Sequence, residues 1–203
     1  MRKMILIGFL VLLFPAVLLG QNKVEAPVWN IGDKWNLTGD VTIMVVSADE
    51  SSYGVKYLTS GGESVLICEK PSLNRLYAVD RNRRIKYEGR NRRLFNFPLD
   101  IGKTWKDQFV VKPAALAERE KTYLETFTVL GWEDVEIQTG KMKALKIEYK
   151  QEGVEQQAGR PKEGKVWYWY SPDVKYMVKC QYDKTEYWDA SYDWELTSFQ
   201  LKK

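Results

Sequence analysis

The chemistry open to this chain is bounded first by an absence: its 203 residues include no histidine. Ser-His and Cys-His nucleophilic catalysis, histidine-ligated zinc or copper and a histidine pH switch are therefore excluded. Carboxylates, lysines, tyrosines and two cysteines remain. Glu133 with Asp134, and Asp189 with Asp193, are the residue types that serve glycoside hydrolysis. That reaction is decided by a carboxylate separation of about 5–9.5 Å in space, which a sequence does not give. A carboxylate-dependent glycosidase stays as a second alternative, and no catalytic residue, cofactor or metal is assigned.

The most site-like stretch runs Tyr187-Trp188-Asp189-Ala190-Ser191-Tyr192-Asp193-Trp194. Rings beside carboxylates stack on sugars and bond their hydroxyls, or line the mouth of an apolar cavity. Tyr187, Trp188, Tyr192 and Trp194 are thus candidate ligand-binding residues, as in a carbohydrate-binding module. Trp167 and Trp169, in the aromatic run Val166–Tyr170, join them as candidates for a ligand wall. A loop pinned by aromatic packing, or a second core layer, has the same composition.

A basic cluster comprises Arg81, Arg83, Arg84, Lys86, Arg90, Arg92 and Arg93, opposed by Glu88. It sets up a local positive field suited to lipid head groups, acidic glycans or a partner protein, or it is a solvated hairpin. No nucleic-acid module accompanies it, so nucleic acid is not an expected partner. Cys68 and Cys180 lie in separate predicted strands. A disulfide between them would close a long loop, worth about 4–5 kcal/mol in the chain-entropy model. Two buried thiols acting as small hydrophobes are the other reading.

The elements that must hold these residues are strands. Gly164 to Cys180 reads as a β-hairpin: Ser171-Pro172-Asp173 is turn chemistry, and Val174, Tyr176, Val178 and Cys180 alternate with Lys175 and Lys179. Further strands are predicted at 41–48, 53–59, 64–69, 75–79, 84–87 and 94–97, then at 122–130, 135–138, 142–150 and 194–201. Turn signals recur every 8–12 residues, as in an antiparallel meander. Gly131-Trp132-Glu133-Asp134 reads as a corner, and a slipped period at Leu145 as a bulge. Lys112 to Lys121 is the helix-friendly piece.

One motif echoes. Asn30-Ile31-Gly32-Asp33-Lys34-Trp35 and Asp100-Ile101-Gly102-Lys103-Thr104-Trp105 share Ile-Gly-x-x-Trp. The pattern predicts a tight entry turn, with Gly in a conformation other residues avoid and the Trp landing on the core face of a new strand.

At the N-terminus, Arg2-Lys3, the apolar run Ile5 to Leu19 and Gly20 have the pattern of a signal peptide cleaved after Gly20. Fifteen apolar residues are short of the roughly 20 that span a bilayer. Membrane association is expected only through an uncleaved signal segment or peripheral contact. Residues 21–203 then form a single all-β domain with a net charge near +2, exported to the periplasm or secreted.

These motifs, with Phe97-Pro98-Leu99, Thr139 to Ile147 and Trp167-Tyr168-Trp169-Tyr170-Ser171-Pro172-Asp173-Val174, resemble those of a broad group of exported bacterial all-β proteins of unknown function. The resemblance implies a curved antiparallel sheet similar to the half-barrels of lipoprotein carriers, and it brings no catalytic residues. The chain departs from lipoprotein members in having no cysteine at the end of its apolar run. The expectation is an all-β barrel or half-barrel of about ten strands. Its concave aromatic face would bind an apolar, amphipathic, glycan or protein ligand of the cell envelope without catalysis.

Overall fold

The computed structural model describes residues 23–80, 83–86, 93–111, 121–153, 164–183 and 193–203. The expected signal segment and the helix-friendly piece at 112–120 lie outside them. Twelve strands form one antiparallel sheet in the order β6-β5-β4-β3-β2-β1-β12-β11-β10-β9-β8-β7. The first half comprises β1 (Lys34–Leu37), β2 (Val41–Ala48), β3 (Ser52–Thr59), β4 (Gly62–Glu69), β5 (Arg75–Asp80) and β6 (Arg83–Lys86). The second comprises β7 (Thr104–Val111), β8 (Lys121–Ile137), β9 (Gly140–Gly153), β10 (Gly164–Ser171), β11 (Tyr176–Tyr182) and β12 (Trp194–Gln200). Each half is a meander, and the two meet where β1 pairs with β12.

The echoed motif opens both halves in the same way. In the first, Gly32 N–H donates to Val45, Asp33 N–H to Asn30 and Val45 N–H back to Asp33. In the second, Gly102 donates to Val129, Lys103 to Asp100 and Val129 back to Lys103. Gly32 and Gly102 have φ of 93° and 81°, which an L side chain resists. Trp35 and Trp105, three residues on, are both buried. Trp35 lies opposite Ile43 on β2 and Trp105 opposite Phe127 on β8. The shared motif is thus an architectural device that starts each meander and drives an indole into the core.

The sheet is curled and not closed. Four strand steps separate β3 from β11, about 19 Å in a flat sheet. Yet the hydroxyls of Tyr57 on β3 and Tyr176 on β11 are 2.9 Å apart. Only a strongly bent sheet brings them together. Among the described residues, β6 and β7 pair on one side only and form its two edges.

Several local expectations are corrected. Residues 94–97 are an irregular strap and not a strand. Phe95 and Phe97 stack at 5.2 Å and set their rings edge-on to Tyr170 on β10, so apolar cover determines their place instead of a ladder. The corner at Gly131 is instead a bulge between Val129 and Gly131 within one 17-residue strand, β8. The bulge faces Lys146 and Ile147 on β9, beside the slip in period at Leu145. The turn of the late hairpin extends through Lys175, so β11 begins at Tyr176, and a register shift follows Trp169. The entry turns add β1 and β7 to the expected strands, while 122–130 and 135–138 merge into β8.

Candidate functional site

Seven strands of the sheet contribute to one cavity of about 480 Å³. Leu37, Val41 and Ile43 come from β1 and β2; Tyr168, Tyr176 and Met177 come from β10 and β11; Trp194 begins β12. Tyr57 and Arg75 close it from β3 and β5, with Leu94 of the strap at its edge. The volume falls within the roughly 300–1,000 Å³ of sites that hold small ligands, and the lining is chiefly apolar and aromatic.

Strand register determines which of the aromatic run belongs here. Tyr168 lies opposite Cys180, and Cys180 opposite Trp194, so these three share the cavity-side face. Trp167 and Trp169 alternate to the other face. Trp167 is paired with Glu148 and Gln181, and Trp169 with Lys146 and Lys179. The Lys146 ammonium lies 5.9 Å from the Trp167 ring and 5.0 Å from the Trp169 ring, and Lys179 lies 5.5 Å from Trp169. Trp169 Nε1–H also donates to Glu133 at 2.8 Å, and Lys146 pairs with the same carboxylate at 3.0 Å. This is an outer layer of cation–ring packing, which makes Trp167 and Trp169 structural and not a wall of the cavity.

Glu133 is occupied by that packing. Burial works to raise its pKa, but the bonds from Trp169 and Lys146 outweigh it and hold the carboxyl below its ordinary value. Asp134 is the next residue on the same strand and therefore points to the opposite face. Glu133 and Asp134 thus do not face a common groove. Asp189, like Tyr187, Trp188 and Tyr192, lies outside the described residues. Asp193 sits at the cavity rim and accepts the Tyr182 N–H at 2.8 Å.

The cysteines do not form a bridge. Cys68 on β4 and Cys180 on β11 are separate buried thiols, five steps apart in the order of the sheet. Burial pushes the Cys68 thiol up to about 11, with the charge of Arg75 partly offsetting it. Of the basic cluster, Arg81, Arg90 and Arg92 lie outside the described residues. Arg83, Arg84 and Lys86 fall on the edge strand β6. Arg93 is exposed; its backbone N–H donates to Asp107, and its carbonyl accepts the Trp105 indole N–H at 2.7 Å.

The residue that sequence reasoning passed over is Arg75. Its guanidinium sits 5.6 Å from the Tyr57 ring, and the residue lines the cavity and is exposed. The phenol of Tyr57 contributes most to holding it cationic above its ordinary value, against the opposing effect of burial, with Tyr176 and Cys68 adding to the shift. No described carboxylate forms an ion pair with it. The Tyr176 phenol is pushed well above its ordinary value by burial first and by Tyr57 second, so its hydroxyl stays protonated.

No family model matches the chain, and no curated relative matches it in sequence. Among solved structures it is similar to YmcC, a hypothetical lipoprotein from Escherichia coli K12. That likeness has 13% identity over 90% of this chain and 92% of that one, and a TM-score of 0.47. A candidate exported protein with a YmcC-like fold from Bacteroides fragilis aligns at 13% identity over 88% and 99% of the two chains, with a TM-score of 0.41. A candidate lipoprotein from Parabacteroides distasonis aligns at 11% identity over 89% and 100%, also with a TM-score of 0.41.

Proposed function

We propose that this is an exported, non-catalytic binding protein that holds an apolar or amphipathic ligand in the cavity on the concave face of its curled sheet. Export rests on the charged start, short apolar run and small residue of the N-terminal segment. Binding rests on one observation: a 480 Å³ space lined by Leu37, Val41, Ile43, Leu94, Met177 and Trp194 lies between the two meanders, where a core made only for stability would be filled. The neutral apolar dye N-phenyl-1-naphthylamine tests the reading. The dye should brighten on the folded protein and be displaced by alkyl-chain compounds, and Leu94→Trp, which fills the cavity edge, should weaken both effects. A native protein whose Leu94→Trp variant binds the dye as well as the parent would place the dye elsewhere and end the proposal.

A further inference from the structure

Arg75 is a charge whose position is not explained by the stability of the sheet. It opens β5, in a cavity walled chiefly by rings and aliphatic groups, with Thr38 and Asp193 also in the lining. The residue is exposed, and the groups that face its guanidinium are phenols, with a side-chain hydrogen bond to Tyr57. Tyr57 lies beneath its guanidinium, and the Tyr57 hydroxyl bonds that of Tyr176 at 2.9 Å. Asp193, the carboxylate on the cavity wall, accepts the backbone N–H of Tyr182 and forms no ion pair with Arg75. The outcome is a fork of N–H donors beside the bonded hydroxyl pair of Tyr57 and Tyr176, facing a space whose described lining carries one carboxylate, Asp193, which is not ion-paired with Arg75. Guanidinium presents its donors in a plane that fits two oxygens of one carboxylate or phosphate.

From this we infer that the cavity takes a single-chain anionic amphiphile, its carboxylate or phosphate held by Arg75 with the hydroxyls of Tyr57 and Tyr176, and its alkyl tail laid along Val41, Ile43, Leu94 and Trp194. This rests on the cavity reading above and adds the charge of the ligand. A neutral tail of equal length gains the same apolar burial, so the head group alone decides the preference. The anion gains charge-assisted hydrogen bonds to a cation with which no described carboxylate forms an ion pair.

The test compares four twelve-carbon probes below their micelle concentrations on the full chain: dodecanoate, dodecyl phosphate, dodecanol and dodecyltrimethylammonium. Each is titrated against bound N-phenyl-1-naphthylamine. At least one anionic probe is expected to bind about tenfold or more tightly than dodecanol, the effect of one charge-assisted hydrogen bond, and the cationic probe more weakly than dodecanol. Preference for dodecanoate alone identifies a carboxylate head and preference for dodecyl phosphate alone a phosphate head; equal preference means that any compact anion serves. Arg75→Gln should abolish the preference, each anionic probe being compared with dodecanol on the same variant. Dodecanol matching both anions on the native protein overturns the inference and leaves the cavity reading intact, and this comparison needs no variant that must fold. Retention of the preference in folded Arg75→Gln overturns it as well. Binding of none of the four probes, or of the dye, removes the cavity reading itself and the inference with it.

Discussion

The indole N–H of Trp35 donates to the backbone carbonyl of Val174 at 2.8 Å, joining the entry turn of the first meander to the hairpin turn of the second. Trp29 makes the parallel bond to Lys175 at 2.9 Å, and the two indoles pack 5.4 Å apart. Trp35 also stacks on Tyr176 at 4.9 Å, so one buried ring touches both the seam of the sheet and the cavity.

Trp35 is fully buried, and its replacement should be among the most damaging in the chain. Trp35→Ala is expected to lower unfolding free energy by about 3–5 kcal/mol through cavity creation. Trp35→Phe keeps most of the ring volume but leaves the Val174 carbonyl without its donor, an expected loss of about 1–3 kcal/mol. Urea denaturation gives both values; a loss below 1 kcal/mol for Trp35→Ala would mean that the two halves do not depend on this ring.

Ligand entry should be reported by Trp194 and not by Trp167, because Trp194 lines the cavity while Trp167 lies under Lys146 on the outer face. In a titration with dodecanoate, Trp194→Phe is expected to remove most of the change in intrinsic fluorescence, and Trp167→Phe to leave it. The reverse pattern would place the ligand on the outer surface.

Stability should fall in alkali. The Cys68 thiol is raised by burial from about 9 to about 11, and burial also raises the phenols of Tyr176 and Tyr170. Above pH 9 the unfolded chain gives up the thiol proton while the folded chain retains it. The unfolded state then binds fewer protons, and unfolding free energy decreases as pH rises. The thiol's contribution is complete below pH 9 and lost by pH 11, on the order of 2 kcal/mol. Denaturation midpoints at pH 8 and pH 10.5 measure it. Cys68→Ala should flatten the first part of the fall, leaving the part above pH 10 that belongs to the tyrosines.

The two thiols should behave as core groups. A thiol-reactive probe is expected to label neither Cys68 nor Cys180 in the native protein and both after unfolding, and a reductant should leave the melting temperature unchanged. A drop in melting temperature on reduction would reveal a bridge.

Much of this architecture is written in local pattern. The Ile-Gly-x-x-Trp echo marks the start of each meander because its glycine conformation and its tryptophan's burial are properties of six residues alone. Strand β2 at Val41–Ala48 follows from its β-branched run in the same way. Which face is concave is a property of the whole sheet, so alternation separates Tyr168 from Trp167 and Trp169 without saying which side lines the cavity. Arg75 was visible only as a cation at the start of a strand. Its meaning depends on Tyr57 and Tyr176, which are 119 residues apart in the chain and touch only when the sheet curls. The strap at 94–97 misled because Leu-Phe-Asn-Phe alternates like a strand, whereas its rings find their partner in Tyr170.

A sheet with two unpaired margins exposes backbone donors and acceptors to which another chain can add, and such margins seed fibrils unless they are guarded. Of the four residues of β6, Arg83, Arg84 and Lys86 are cationic, and only Ile85 is apolar. A second copy laid antiparallel along β6 would set those charges one strand spacing, about 4.8 Å, from their like. Three cationic residue types in four thus make the sequence of β6 one that disfavours pairing with a second copy of itself.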